Sequence, residues 1–308
     1  MKQLLICFLT VFVILSCDSR STGEIPAIEG EQADSGVLRL AVIPTLDCLP
    51  LFLASEHNMF GRAGLEVAIV TYSAQMDCDT ALQNGFVKAM ATDLVRAEHL
   101  RQQNIPITFL SATDADWLLL TSRSARIKKL SQLDDKMMGM TRYSATDMLG
   151  DLAVDSGKLK EERVFRIQVN DVVIRQNMLI GAMIDAALLP QPQATAAINQ
   201  QSCLILRPQA RFDLQLGVIA MRENSLSKEQ VEAFCKAYNE ACDSLNARGL
   251  QSYSELIKKL TGADQQTVDS LPVMEFRHTR QPRERDVERA REWLKKKLEK
   301  ADVEKQRI

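Results

Sequence analysis

The stretch ASEHNMFGRAGLEVAIVTYS, residues 54–73, limits the possible folds more than any other part of the chain. A helical pattern runs to Phe60, Gly61 and Gly64 follow, and from Leu65 the apolar residues alternate at Leu65, Val67 and Ile69. Glycine accepts the positive φ that ends a helix, and alternation with period two marks a strand. Ahead of the helix stands VLRLAVI, residues 37–43, a short apolar run of the kind that makes a buried strand, broken by PTLDCLP. Strand, helix, glycine turn and strand together form a β-α-β unit. The tight turn brings the chain back parallel to its first strand.

The pattern then recurs. Strands are predicted over 87–91, 107–111 and 117–121, with helices over 79–84 and 94–103 between them. A second set begins near Ile127, with strands over 136–141, 164–169, 184–189 and 203–206 and helices over 146–155, 171–180 and 192–199. One further strand, 216–221, precedes helices over 228–245, 253–260, 264–270 and 286–298. Two α/β sets in series followed by a helical return place the chain in the doubly wound α/β class. Met137, Met138 and Met140 read as core filling, and the basic run from Arg289 to Lys300 as a solvated helix face.

The first residues read as a targeting segment. Lys2 is followed by an apolar run from Leu4 to Leu15, short for a membrane span, and then by Ser16 and Cys17. The small residue before a cysteine in VILSC resembles a bacterial lipoprotein cleavage site, which implies lipidation (palmitate or a related acyl chain) at Cys17. An uncleaved anchor and a plain secretory signal are the alternatives. Residues 17–36 are polar and too poor in apolar surface to offset their ordering entropy, so they read as a flexible stalk after a signal peptide of 1–16. A formal net charge of −2 gives no electrostatic case for nucleic acid as a partner. Beyond Cys7 and Cys17, the cysteines at 48, 78, 203, 235 and 242 form no C-x-x-C pair, so neither a metal site nor a cofactor is expected. Cys235 and Cys242 lie about two helical turns apart, roughly 10 Å, too far for a disulfide. Cys48 and Cys78 each follow a predicted strand and are the one pair that could meet.

Several segments carry a family resemblance. LRLAVIPTLDCLPLFLASEHNMFGRAGLEVAIVTYS, with Phe60, Gly64 and Leu65, resembles the opening of periplasmic substrate-binding proteins of ABC importers, in the branch of nitrate, sulfonate, taurine and thiamine-precursor binders. LQNGFVKAMATD, through Gly85 and Asp93, resembles the next segment, and LIGAMIDAALLPQPQATAA, through Gly181, Asp185, Ala186 and Pro192, resembles one in the second domain. Gln191 stands where the family more often has Glu. The resemblance implies two lobes joined by a two-strand hinge, lobe I over 37–120 and 217–308 and lobe II over 121–216. It also implies a small-molecule ligand in the cleft and an ABC permease as partner. The implied location is periplasmic, with membrane attachment through lipid alone and the protein a monomer.

In open parallel sheets, ligands bind outside the carboxyl ends of the strands. The expected pocket rim is therefore Pro44, Thr45, Asp47, Cys48, Thr92, Asp93, Ser111 and Thr113 from the first set, and Arg142, Tyr143, Ser144, Thr146, Asn170, Pro190 and Gln191 from the second. Ser144 and Asp147 have capping-box spacing. The helix they open could hold an anionic group on its free amides, with Arg142 adding charge, or could be an ordinary cap. Asp47 and Asp93 either favour a cationic ligand or serve as turn and cap residues. Tyr72 and Tyr143 either stack on a ring or pack. Cys48 reads as a small packed residue. The expected activity is binding without catalysis. The alternatives are an enzyme of the same fold acting on a thiamine-pyrimidine precursor, whose cysteine-rich metal-binding segment this chain lacks, and a sensor lipoprotein. His57, His99 and His278 are scattered and suggest no triad.

Overall fold

Gly64 stands at φ 85°, and the Leu65 amide closes the turn by donating to the Phe60 carbonyl at 3.0 Å. The computed structural model describes residues 36–305; the predicted signal peptide, Cys17 and the stalk up to residue 35 lie outside it. Strand β1 (Leu38–Val42) leads into helices α1 (Leu49–Glu56) and α2 (Met59–Arg62), and β2 (Val67–Thr71) returns parallel with Leu40 opposite Ile69. The helical pattern expected to run unbroken to Phe60 is interrupted at Asn58, which takes the left-handed conformation at φ 50° that asparagine tolerates.

The chain continues through α3 (Gln75–Gln83), β3 (Ala89–Asp93), α4 (Leu94–Gln102), β4 (Ile107–Ala112), β5 (Trp117–Thr121), β6 (Lys136–Met140), α5 (Ala145–Ser156) and β7 (Val164–Gln168). It goes on through α6 (Val172–Ile180), β8 (Ala186–Pro190), α7 (Gln193–Asn199), β9 (Cys203–Leu206), α8 (Pro208–Phe212) and β10 (Gly217–Arg222). Helices α9 (Lys228–Arg248), α10 (Ser254–Thr261), α11 (Gln265–Asp269) and α12 (Glu284–Lys305) close it. Two five-stranded sheets result, ordered β2-β1-β3-β10-β4 and β7-β6-β8-β5-β9.

Strand β5 departs from expectation. Its place in the chain suggests the first set, but it lies in the second sheet, antiparallel to both β8 and β9. Leu118, Leu119 and Leu120 are fully buried there, as a strand of consecutive leucines requires. Strand β10 crosses the other way and sits antiparallel between β3 and β4. The chain therefore passes between the sheets at 113–116 and again at 207–216.

The two passages are tied to each other. The Thr113 amide donates to the Gly217 carbonyl at 2.9 Å. Gln209 clamps the first passage from the second, accepting from the Trp117 amide and donating to the Ala115 carbonyl, both at 2.8 Å. Gly217 is obligatory for the fit, since a Cβ there would lie 2.3 Å from Thr113 Oγ1 and 2.5 Å from Ala115 Cβ.

Among the described residues the core comprises four apolar clusters. One of them joins both sheets: Leu94 and Val95 of α4, Val218 of β10, Leu119 and Leu188 of the second sheet, Met148 and Leu149 of α5, and Val287, Ala290 and Leu294 of α12. In α12 the charged residues Arg291, Glu292, Lys295, Lys296, Glu299 and Lys300 are exposed, as expected of a solvated face, while Lys297 and the apolar side turn inward. Lys297 reaches Asp151 at 2.8 Å, Glu161 at 3.1 Å and Asp147 at 3.5 Å, while Arg291 reaches the buried Glu98 at 3.1 Å. Of the three methionines expected in the core, Met138 and Met140 are buried, but Met137 points to the opposite face of β6, exposed beside Phe165 of the edge strand β7. Cys48 and Cys78 are both buried free thiols, so the one pair that could have met forms no disulfide. No described helix is long and apolar enough to cross a membrane.

Gly217→Ala is expected to destabilise the fold by about 1–3 kcal/mol, because neither neighbour can retreat without breaking the tie between the passages. Chemical denaturation measures this directly, and an unchanged midpoint would show that the close approach is not needed.

Candidate functional site

The carboxyl ends of the parallel strands in the two sheets face one another, and the residues singled out in the sequence fall into separate groups there. In the first sheet Thr45, Asp47 and Thr113 form a knot. Asp47 is half-buried and accepts from Thr45 Oγ1 at 2.6 Å and Thr113 Oγ1 at 3.0 Å. Burial pushes its carboxyl above the ordinary value, and the two hydroxyls pull it back. Both oxygens are thus engaged in holding the loop after β1 to the passage between the sheets. Cys48 is buried beneath, with its sulfur 3.6 Å from Thr45 Oγ1, and packs as expected. Ser111 is turned to a different use: its hydroxyl donates to the Ala112 carbonyl and accepts from the Arg280 amide, fixing the extended segment that leads to α12.

Thr92 and Asp93 end β3. Thr92 accepts from Gln75 Nε2 at 3.1 Å. Asp93 caps α4, accepting from the Arg96 amide at 3.0 Å. The amides of Val95 and, from the second sheet, Ala145 also support its charge. Burial dominates nevertheless and pushes its carboxyl up to about 7. The first amide of α5 thus meets the protein's own acid, where the sequence suggested a seat for an external anion.

The turn from β6 into α5 is a lattice of hydroxyls. Ser144 caps the helix by accepting from the Thr146 amide at 3.1 Å, and its hydroxyl donates to the Thr141 carbonyl at 2.7 Å. The hydroxyls of Ser144 and Thr146 lie 2.8 Å apart, and Thr146 Oγ1 accepts from the Thr141 amide at 2.9 Å. Asp147 does not complete the expected capping box. Tyr143 adopts φ 54°, which turns its amide onto Asp147 Oδ2 at 2.9 Å. The Tyr143 ring packs on His99 of α4 with centroids 5.1 Å apart, so it serves packing between helices. Arg142 is exposed, and its carbonyl accepts from Arg96 at 3.2 Å.

Four polar contacts bridge the loops of the two sheets, two beside the first passage and two at the far edge. The Leu46 amide donates to the Gln191 carbonyl at 2.9 Å, and Gln193 Nε2 donates to the Pro44 carbonyl at 3.3 Å. At the far edge, where β2 and β7 end, Ala74 and Asp171 form an isolated antiparallel bridge. Asn170 Nδ2 lies 2.9 Å from the sulfur of Met76 beside it. The Gln191 side chain turns inward and accepts from Thr195 Oγ1 at 2.8 Å, across a cis peptide bond to Pro192.

Sequence reasoning missed Gln75, Thr141, Gln193 and above all Arg175. Arg175 is 3 % exposed and donates to Thr141 Oγ1 at 3.0 Å and to the Val169 carbonyl at 2.9 Å. Burial lowers its guanidinium to about 10. The signal was present in the sequence: Val172, Arg175 and Leu179 share the buried face of α6 at helical spacing. Among the described residues no group of three or more His, Cys, Asp or Glu could hold a metal ion.

The model of the NMT1/THI5-like family matches residues 45–248, about two thirds of the chain. No curated protein matches the sequence. Solved structures with the same fold include the aliphatic sulphonate-binding protein SsuA of Escherichia coli, at 13% identity and TM-score 0.70, over 87% of this chain and 88% of that one. The alkanesulfonate-binding SsuA of Xanthomonas axonopodis pv. citri, bound to MOPS, aligns at 14% identity and TM-score 0.69, covering 84% and 91%. The nitrate-binding protein NrtA of Synechocystis PCC 6803 aligns at 13% and 0.63, covering 75% and 67%. At these identities the likeness is one of fold, and the fold is that of periplasmic binding proteins, with added C-terminal helices.

Asp93 sets a pH dependence with a definite sign. Its folded pKa lies above the ordinary 3.8, so its protonated form favours the fold. That contribution is complete below about pH 4 and is lost as pH rises through about 7. Asp93→Asn keeps a capping side chain and removes the cost, so its stability relative to wild type should rise between pH 4 and pH 8 by on the order of a few kcal/mol. Parallel thermal melts of both proteins across that range would test it; a constant difference would mean that Asp93 does not titrate there.

Proposed function

The chain belongs to the NMT1/THI5-like family, and from that membership we propose that it is the solute-binding lipoprotein of an ABC importer. The observation that carries the reading is an asymmetry between the two ends of the interface. Near the passages the sheets share an apolar cluster. At the far edge, where β2 and β7 end, they meet through the Ala74–Asp171 bridge and the Asn170–Met76 contact. Breaking a few such bonds against water costs about 0.5–1.5 kcal/mol each. Such an interface opens at the far edge and stays joined at the passages, which is hinge closure around a ligand.

In this reading the lobes are the two sheets with their helices. We take lobe I as the expected 37–120 and 217–308 with its first boundary moved back to 113–116, because β5 lies in the second sheet. A small polar nutrient enters the open cleft among the loops that follow β1, β2 and β3 on one side and β6, β7 and β8 on the other. Differential contacts with both lobes favour the closed form, which a membrane permease then recognises. Of the expected rim, Thr92, Asp93, Ser144, Thr146 and Asn170 remain assigned to the cleft, while Tyr143 and Gln191 are assigned to packing around it. Thr45, Asp47, Cys48, Thr113 and Ser111 are assigned to its rigid support, and Arg142 to its outer surface. Cys17 carries the lipid that holds the protein at the membrane of the cell envelope.

Small-angle scattering and thermal melts against a broad nutrient panel test the binding role. At least one solute should raise the melting temperature by several degrees and reduce the radius of gyration. If no solute changes either quantity, the binding role fails. Cys17→Ser should move the protein from the membrane to the soluble fraction, read by fractionation and by loss of the acylated N-terminal peptide in mass spectrometry. Unchanged membrane association would reject lipid anchoring.

A further inference from the structure

Among the described residues seven charged side chains are buried: Asp79, Asp93, Arg96, Glu98, Asp147, Arg175 and Asp286. Five of these meet an opposite charge. Asp79 pairs with Arg96, Glu98 with Arg101 and Arg291, Asp147 with Lys297 at 3.5 Å, and Asp286 with Arg283 at 2.6 Å. This is what the cost of an isolated buried charge demands. Asp93 and Arg175 are the two exceptions. Asp93 is met by backbone amides alone. Arg175 donates to two neutral oxygens, and its Nε has no partner. The carboxylate nearest to it in sequence, Asp171, acts on it through its charge but forms no ion pair with it, being engaged by the amides of Val173 and Ile174 at 2.8 and 2.9 Å.

These two charges flank one turn. Arg175 reaches Thr141 at its start, and Asp93 reaches Ala145, where α5 begins. Between them lie the hydroxyls of Thr141, Ser144 and Thr146. The Arg175 stem lies close against β6 at Gly139, where a Cβ would come 3.3 Å from its Cγ, so the guanidinium is set at the carboxyl end of the strand. One charge comes from each sheet, and both lie where the strands of their sheets end.

Resting on the solute-binding reading above, we propose that Asp93 and Arg175 read the two ends of a small dipolar solute. Arg175 seats its anionic group, a carboxylate or a sulfur oxyanion. Asp93 faces a protonated amine or another N–H donor. The hydroxyls of the intervening turn hydrogen-bond the atoms that join the two groups. The solute supplies both missing counter-charges and bridges the sheets, which couples recognition to closure. Each charge-assisted hydrogen bond of this kind is about twice as strong as a neutral one.

Titration calorimetry of the full chain tests this with solutes of matched size: glycine and taurine as dipoles, acetate and methanesulfonate as anions, ethylamine as a cation and acetamide as a neutral control. The remaining members of the nutrient panel are sorted by the same charge classes. Dipolar solutes should bind at least about ten-fold more tightly than singly charged or neutral ones. Arg175→Met should lose that affinity, and Arg175→Lys, which keeps the charge but not the fork of donors, should weaken it. Asp93→Asn should narrow the preference for dipoles over simple anions. If Arg175→Met does not fold, the Lys and Asn variants carry the test. Equal or tighter binding of neutral or singly charged solutes, or affinities unmoved by the variants, would overturn the inference and leave the solute-binding reading standing. Absence of binding by every solute would overturn both.

Discussion

The apolar cluster shared by α4, α5, α12, β10 and the second sheet is the constraint on which the rest of the molecule depends. Leu94, Leu119, Leu149, Leu188 and Leu294 are fully buried in it. Each such side chain contributes about 1.5–3 kcal/mol when withdrawn from water. A handful of these residues outweighs the polar contacts at the opposite edge several-fold. The difference decides which edge of the interface is permanent and which can part. It also explains the form of α12: a helix with Val287, Ala290 and Leu294 on one side can lie against both sheets, and its flanking Arg291 and Lys297 find acids on α4 and α5.

Local patterning made much of this architecture legible. The β-α-β units were readable because glycine turns and strand alternation are properties of neighbouring residues, and Gly64 has the conformation its position demands. The sheet to which a strand belongs is not such a property. β5 follows β4 after four residues, and nothing in WLLLT says that it pairs with β8 and β9 instead. The physical reason lies in residues about seventy to ninety positions later, which supply partners for three consecutive leucines.

The site was legible to a lesser degree, and for a related reason. Position after a strand identifies residues near the cleft, but hydrogen bonding decides their work. Asp47 and Asp93 look alike in the sequence, each an acid in a loop after a strand. One is held by two threonine hydroxyls, the other is buried against helix amides, and the partners come from distant segments. Ser111 is claimed by a backbone amide 169 residues away. Arg175 was hidden for a different reason: a single arginine on an apolar helix is usually read as an interruption of the stripe, yet here it is part of the buried face.

The exchange of β5 and β10 between the sheets also orders the birth of the fold. Strands β5 to β9 are contiguous in the chain, so the second sheet has all its members once residue 206 has emerged from the ribosome. The first sheet cannot close until β10 arrives to lie between β3 and β4, whose facing edges have no neighbour before then. Unpaired strand edges invite mispairing. The earlier-synthesised half is therefore the later to be finished.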